Sequence, residues 1–125
     1  MCGIIGINSN KQVTASIINS LKKLEYRGYD SAGLATLSNG SINEIKTEGR
    51  VDKLEKSLLL QNIEGSVGIG HVRWATHGVP NSLNAHPHSS NNVSVVHNGI
   101  IENSTLLKKF LISKGHIFKS QTDTE

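Results

Sequence analysis

The sequence predicts a mixed α/β domain, on three observations. Short apolar runs of strand length alternate with stretches whose apolar residues recur at helical spacing. Asn39-Gly40 lies between two of the strand-like runs, a strong signal for a tight antiparallel hairpin. The 125 residues, 36% hydrophobic and 18% charged, have the size and composition of one globular domain.

The elements follow in order. Ile4, Ile5 and Ile7, interleaved with Gly3 and Gly6, read as a short strand that would pin Cys2 where a free end normally frays. Asn8 to Asn10 is a turn. Val13, Ile17, Ile18, Leu21 and Leu24 form one face of a helix, stopped near Gly28. Ser31 to Leu37 and Ile42 to Thr47 read as the arms of the hairpin, although Ile42 and Ile45 break strict alternation. Val51 to Leu60 is a second helix, with Asp52 in its first turn, and Ser66 to Trp74 a strand with Gly68 and Gly70 allowing close backbone approach. Ala75 to Asn92, rich in Asn, His, Ser and Pro, is a long polar loop of the kind that carries function. Val93 to Val96 is a buried strand. A helix carries Leu106, Leu107, Phe110 and Leu111, capped at Asn103 or Ser104 and stopped by Gly115, and Ile117 to Lys119 is a last strand. The chain stops abruptly at Thr122-Asp123-Thr124-Glu125, which suggests a fragment of a longer protein.

Composition narrows the function classes. A net charge of +3 with scattered lysines, and 4% aromatic residues, argue against nucleic-acid binding. No apolar run approaches the roughly 18 residues of a membrane span, and there is no signal-peptide pattern. One cysteine cannot form an internal disulfide, so a reducing, cytoplasmic setting is expected.

That cysteine is the candidate nucleophile. Once Met1 is removed, Cys2 carries a thiol and a free α-amine on one carbon, a nucleophile with its own base. An unperturbed thiol has a pKa of about 8.5 and an unperturbed α-amine one of about 7.7–8.0, so at neutral pH part of such an amine is unprotonated. Cys2 is also consistent with a small residue tolerated after Met1. Asn98 and Gly99 follow an apolar strand. A side-chain amide and a backbone N–H there suit an oxyanion, though Asn-Gly also reads as a plain turn. Arg73 can grip a carboxylate in two-pronged fashion and Trp74 can close over a substrate, and both are equally readable as residues of a surface loop. Asp123 can meet an ammonium, but taken alone it reads better as a solvated carboxylate near a chain end. His71, His77, His86, His88 and His97 raise a metal-binding rival. Without an H-E-x-x-H motif or interleaved carboxylates, loop hydrogen bonds explain them better, and no metal or other cofactor is expected.

Taken together, the runs M-C-G-I-I-G-I, L-E-Y-R-G-Y-D-S-A-G-L-A, H-V-R-W-A-T-H-G, N-A-H-P-H, V-V-H-N-G-I-I-E-N and T-D-T-E resemble the glutaminase domain of the glutamine–fructose-6-phosphate aminotransferases, which are class II glutamine amidotransferases. The runs spread from Met1 to Glu125, and the R-G-Y-D-S-A-G form separates them from the amidophosphoribosyltransferases.

The resemblance implies an α+β fold of the N-terminal nucleophile hydrolase type, a four-layer α/β/β/α sandwich. Residues 1–125 would be the first part of that domain, with its remainder and the sugar-phosphate isomerase domains absent. It implies that mature Cys2 attacks the side-chain amide of glutamine, releasing ammonia for conversion of fructose 6-phosphate to glucosamine 6-phosphate elsewhere in the enzyme. By motif matching, Asn98 and Gly99 form the oxyanion hole, Arg73 and Asp123 hold the α-carboxylate and α-ammonium, Thr76 and His77 line the pocket, and Trp74 belongs to the lid. A homo-oligomer is expected for the complete enzyme. Val72 stands where Thr is commoner and Gln121 where acidic residues are frequent. The rivals are the glutaminase domain of another amidotransferase, such as the phosphoribosyl one, and a non-catalytic domain of the same fold.

Overall fold

The computed structural model describes residues 2–74 and 79–125. Its elements are β1 (Gly3–Asn8), α1 (Thr14–Leu24), a 3₁₀ turn (Glu25–Arg27), β2 (Ser31–Ser38), β3 (Ser41–Glu48), α2 (Val51–Leu58), β4 (Val67–Arg73), β5 (His88–Ser90), β6 (Val93–Val95) and α3 (Ser104–Ser113). The first four strands form one antiparallel sheet in the order β1-β4-β2-β3.

Local chemistry sets this register. Asn39 and Gly40 both take positive φ, 50° and 76°, as the two-residue turn that matches strand twist requires. The turn pairs Ser38 with Ser41 and all eight residues of β2 with β3. Ile42 and Ile45 then fall on opposite faces, which is why they fail to alternate: Ile45 enters the core and Ile42 faces away from the helices.

One face of the sheet is covered by α1 and α2. Ile17, Ile18 and Leu21 from α1, Val51 and Leu54 from α2, and Ala32, Leu34, Ile45 and Val72 from the strands make a continuous buried cluster. The helix α1 lies directly on the β4 backbone. A Cβ at Gly68 or Gly70 would come within 2.6 or 2.5 Å of the Ile17 side chain, so glycine sets this spacing. The two helices are tied together by Glu25, whose Oε1 accepts the Val51 N–H at 2.7 Å, placing an anion at the start of α2.

The other face carries Ile69, His71 and Arg73 of β4 and is partly covered by the buried segment 84–88 and the β5–β6 hairpin. The His86 carbonyl presses on Gly33 so closely that no side chain fits there. Between sheet and hairpin a cleft of 170 Å³ remains, lined by Ala35, Leu37, Ile42, Val67, Ile69 and Ser94 among others.

Several expectations need correction. The segment Ala75–Asn92 is not all loop, because His88–Ser90 pairs with Val93–Val95. The strand was hidden because its own residues are polar. Residues 93–95 form a strand but not a buried one, since Val93 and Val95 are exposed. No strand forms over 117–119; the Lys119 N–H donates to Glu125 Oε1 at 2.8 Å instead of to a neighbouring strand. Helix α2 stops at Leu58, and α3 buries none of its residues. Among the described residues no helix is long and apolar enough to cross a membrane.

Candidate active site

Strand register brings the candidate residues together. Gly3 pairs with Val72, which carries Cys2 past the end of β1 to the level of Arg73 and Trp74. The Trp74 N–H donates to Cys2 Sγ at 3.1 Å, and Sγ lies 3.5 Å from the Trp74 carbonyl oxygen. The thiol is thus held by backbone, half-buried and accessible. Ser31 of β2 pairs with Arg73 from the other side, so Asp30 arrives next to the same strand end. The Arg73 guanidinium is buried and lies 3.9 Å from Asp30 Oδ1.

Asn98 reaches this corner from the loop after β6. Its Nδ2 donates to the Cys2 carbonyl oxygen at 3.2 Å, although 96 residues separate the two. Its Oδ1 lies 2.8 Å from Nε2 of His71, which is completely buried. Gly99 follows, where a Cβ would come within 2.7 Å of His97 Nε2. An NH₂ group has two donor protons, and the Cys2 carbonyl takes one.

Beneath Asn98 the histidines form a stack. The rings of His71 and His86 lie 4.4 Å apart and nearly parallel, and His88 meets His86 edge-on at 4.8 Å. Burial pushes all three down, His71 and His88 to about 4 and His86 to about 2, with the neighbouring His71 and His88 adding to the effect on His86. They are neutral at physiological pH. Among the described residues no group of three or more His, Cys, Asp or Glu side chains is placed to hold a metal.

Asp123 lies in a segment knitted into the same region. Its Oδ2 accepts the Ile101 N–H at 2.7 Å, which braces the loop that carries Asn98 and Gly99. On either side, Thr122 Oγ1 lies 2.8 Å from His88 Nε2, and Thr124 Oγ1 lies 3.2 Å from His97 Nδ1. Asn84 anchors the segment from below, accepting from the Gln121 N–H at 2.8 Å and donating to Gln121 Oε1 at 3.0 Å. Trp74 is half exposed, and its ring packs over Gly28, where φ is +76° and a Cβ would come within 2.6 Å of it.

Of the residues singled out from sequence, Cys2, Arg73, Trp74, Asn98 and Gly99 gather at one end of the sheet, and Asp123 braces the Asn98 loop. Thr76 and His77 lie outside the described residues. Sequence reasoning missed Asn84, and raised His71 only among the histidines of the metal-binding rival, without its link to Asn98. His71 had a usable signal: a polar residue between Gly70 and Val72, inside a strand packed on both faces, needs a specific partner.

The sequence matches no protein-family profile. It aligns over its whole length with curated glutamine–fructose-6-phosphate aminotransferases (isomerising). Identity is 57% to that of Clostridium acetobutylicum, 54% to that of Mesorhizobium japonicum and 53% to that of Pyrococcus horikoshii. The chain belongs to the glutamine–fructose-6-phosphate aminotransferase family. It spans 21% of the length of these relatives. Two solved structures superpose on 99% of it. They are the glutamine phosphoribosylpyrophosphate amidotransferase from B. subtilis in complex with ADP and GMP (TM-score 0.81, 29% identity, 27% of that chain covered) and an allosteric regulatory enzyme of purine biosynthesis (0.80, 30%, 28%). The architecture of this family member is that of an N-terminal nucleophile hydrolase sandwich, incomplete over these residues.

Proposed function

We propose that these 125 residues are the first part of a glutaminase domain, and that the complete protein uses ammonia from glutamine to make glucosamine 6-phosphate from fructose 6-phosphate. The meeting of Cys2 with Asn98 at one sheet end carries this reading, because an accessible thiol beside a directed amide donor is what acyl transfer from an amide needs. Names of relatives at 53–57% identity favour fructose 6-phosphate as acceptor over the phosphoribosyl substrate named for a structure at 29%.

The chemistry begins with removal of Met1. The freed α-amine takes the thiol proton, and Cys2 Sγ attacks the side-chain carbonyl carbon of glutamine. The oxygen becomes an oxyanion, met by the second Asn98 Nδ2 proton and the Gly99 N–H. The intermediate collapses with the amine returning the proton to nitrogen, so ammonia leaves and a γ-glutamyl thioester remains. Water, activated by the same amine, releases glutamate and restores the thiol. Arg73 and Asp123 hold the carboxylate and ammonium of glutamine. Thr76 and His77 line the pocket, and Trp74 closes it. The chemistry assigned here to the chain calls on no cofactor. The complete protein is cytoplasmic and self-associates.

Cys2→Ala in the complete protein tests the reading. Glutamine-dependent product formation is expected to vanish while fructose 6-phosphate binding persists; undiminished ammonia release from glutamine would sink it. Arg73→Ala is expected to raise the KM for glutamine at least about tenfold, the cost of a lost charge-assisted contact, whereas an unaltered KM would remove Arg73 from the binding role.

A further inference from the structure

We infer that His71 is the positioning residue that selects which end of the Asn98 amide faces the reacting atoms, an inference that rests on the glutaminase reading above. The amide's orientation follows from chemistry. The Cys2 carbonyl oxygen can only accept, so the atom 3.2 Å from it is Nδ2, and Oδ1 is turned toward His71. Oδ1 also only accepts, so His71 Nε2 carries a proton and donates it at 2.8 Å.

Asn98 is exposed and stands on a loop, and the terminal torsion of an asparagine is broad and nearly two-fold. Turned over, it would aim Oδ1, a partial negative charge, at a developing oxyanion. Of its two partners, the Cys2 carbonyl belongs to the second residue of the chain and lies next to the bond-making atom. The other, His71, is wholly buried in β4, its ring held flat against His86 at 4.4 Å. The ring is therefore the rigid reference for the amide. Burial keeps it neutral, so it orients the donor without placing a formal charge behind it.

Glutamine and asparagine separate this role from general packing. In Gln the amide nitrogen reaches the position of Nε2; in Asn it reaches only that of Nδ1. In the complete protein, His71→Gln is expected to keep kcat for glutamine hydrolysis within about tenfold of the unsubstituted enzyme. His71→Asn is expected to lose about 100-fold, near the cost of one oxyanion donor. KM for glutamine should move less than about threefold in both. Alkylation of Cys2 by iodoacetamide displaces iodide at saturated carbon and builds no oxyanion, so its rate should stay within about threefold in both variants.

Equal kcat for the Gln and Asn variants overturns the inference, as does a loss carried by KM or a parallel fall in alkylation, each of which marks a packing role. Failure of His71→Gln to fold overturns it too, since the required donor is then not what His71 supplies. No glutamate released by the unsubstituted protein sinks the glutaminase reading itself, a result distinct from any difference between the variants.

Discussion

The two halves of the chain are held together in different ways. Residues 3–73 form a sheet with two helices and a closed apolar core, in which Ile17, Leu21, Leu34 and Leu54 are fully buried. Residues 79–125 contain a hairpin of two three-residue strands, a helix with no buried side chain, and Leu106, Phe110, Ile112 and Ile117 in the open. Their order comes from polar tethers: Asn84 to Gln121, His88 to Thr122, His97 to Thr124, Asp123 to Ile101. The proposed site lies where the halves meet, with Cys2 and Arg73 from the first and Asn98 from the second. An apolar core fixes the sheet end beside Cys2; hydrogen bonds, which are directional, place Asn98.

This contrast can be broken at graded cost. Ile17→Ala removes a fully buried side chain wedged on Gly68 and Gly70, and is expected to cost about 3 kcal/mol in denaturant unfolding. Asn84→Ala is expected to cost about 2 kcal/mol, because it strands the Gln121 N–H and the Val79 carbonyl. Its loss should concentrate in the second half, read as faster amide exchange at Gln121 and Thr122 with the β2–β3 ladder unchanged. Lowering the pH sharpens the contrast from another side. His71, His86 and His88 titrate near 4 or below when folded and near about 6.5 when unfolded. The unfolded chain therefore binds more protons between those values. Stability should be full above about pH 6.5 and fall as the pH drops toward 4, with His88→Phe flattening the fall. Leu106→Ala, on the exposed face of α3, should change the stability of these 125 residues by less than about 0.5 kcal/mol.

The first half was readable because helical spacing in α1 and the Asn39-Gly40 turn encode structure locally. The second half was less so. Residues 88–90 are strand because 93–95 lie beside them, not because His88-Ser89-Ser90 prefers it. An apolar-looking Ile117-Phe118-Lys119 fails to become strand because its backbone finds Glu125 rather than a sheet edge. At the site, residue types singled out Cys2, Arg73 and Asn98 as candidates, and raised His71 only as one of several histidines, not as the partner of the asparagine. His71 reaches Asn98 through a contact that spans 27 positions, which no local pattern reports. The clamp role given to Asp123 also looks different in space, since one carboxylate oxygen already braces the Ile101 N–H.

The central claim is that Cys2, as the first residue of the mature protein, forms a thioester with the glutamyl group of glutamine. Acid quenching of the complete protein during glutamine turnover, followed by mass analysis of its N-terminal peptide, tests this most directly. The expected peptide begins at Cys2 and carries one glutamyl group on sulfur. A peptide that still begins at Met1, unmodified while ammonia is being released, would contradict the claim.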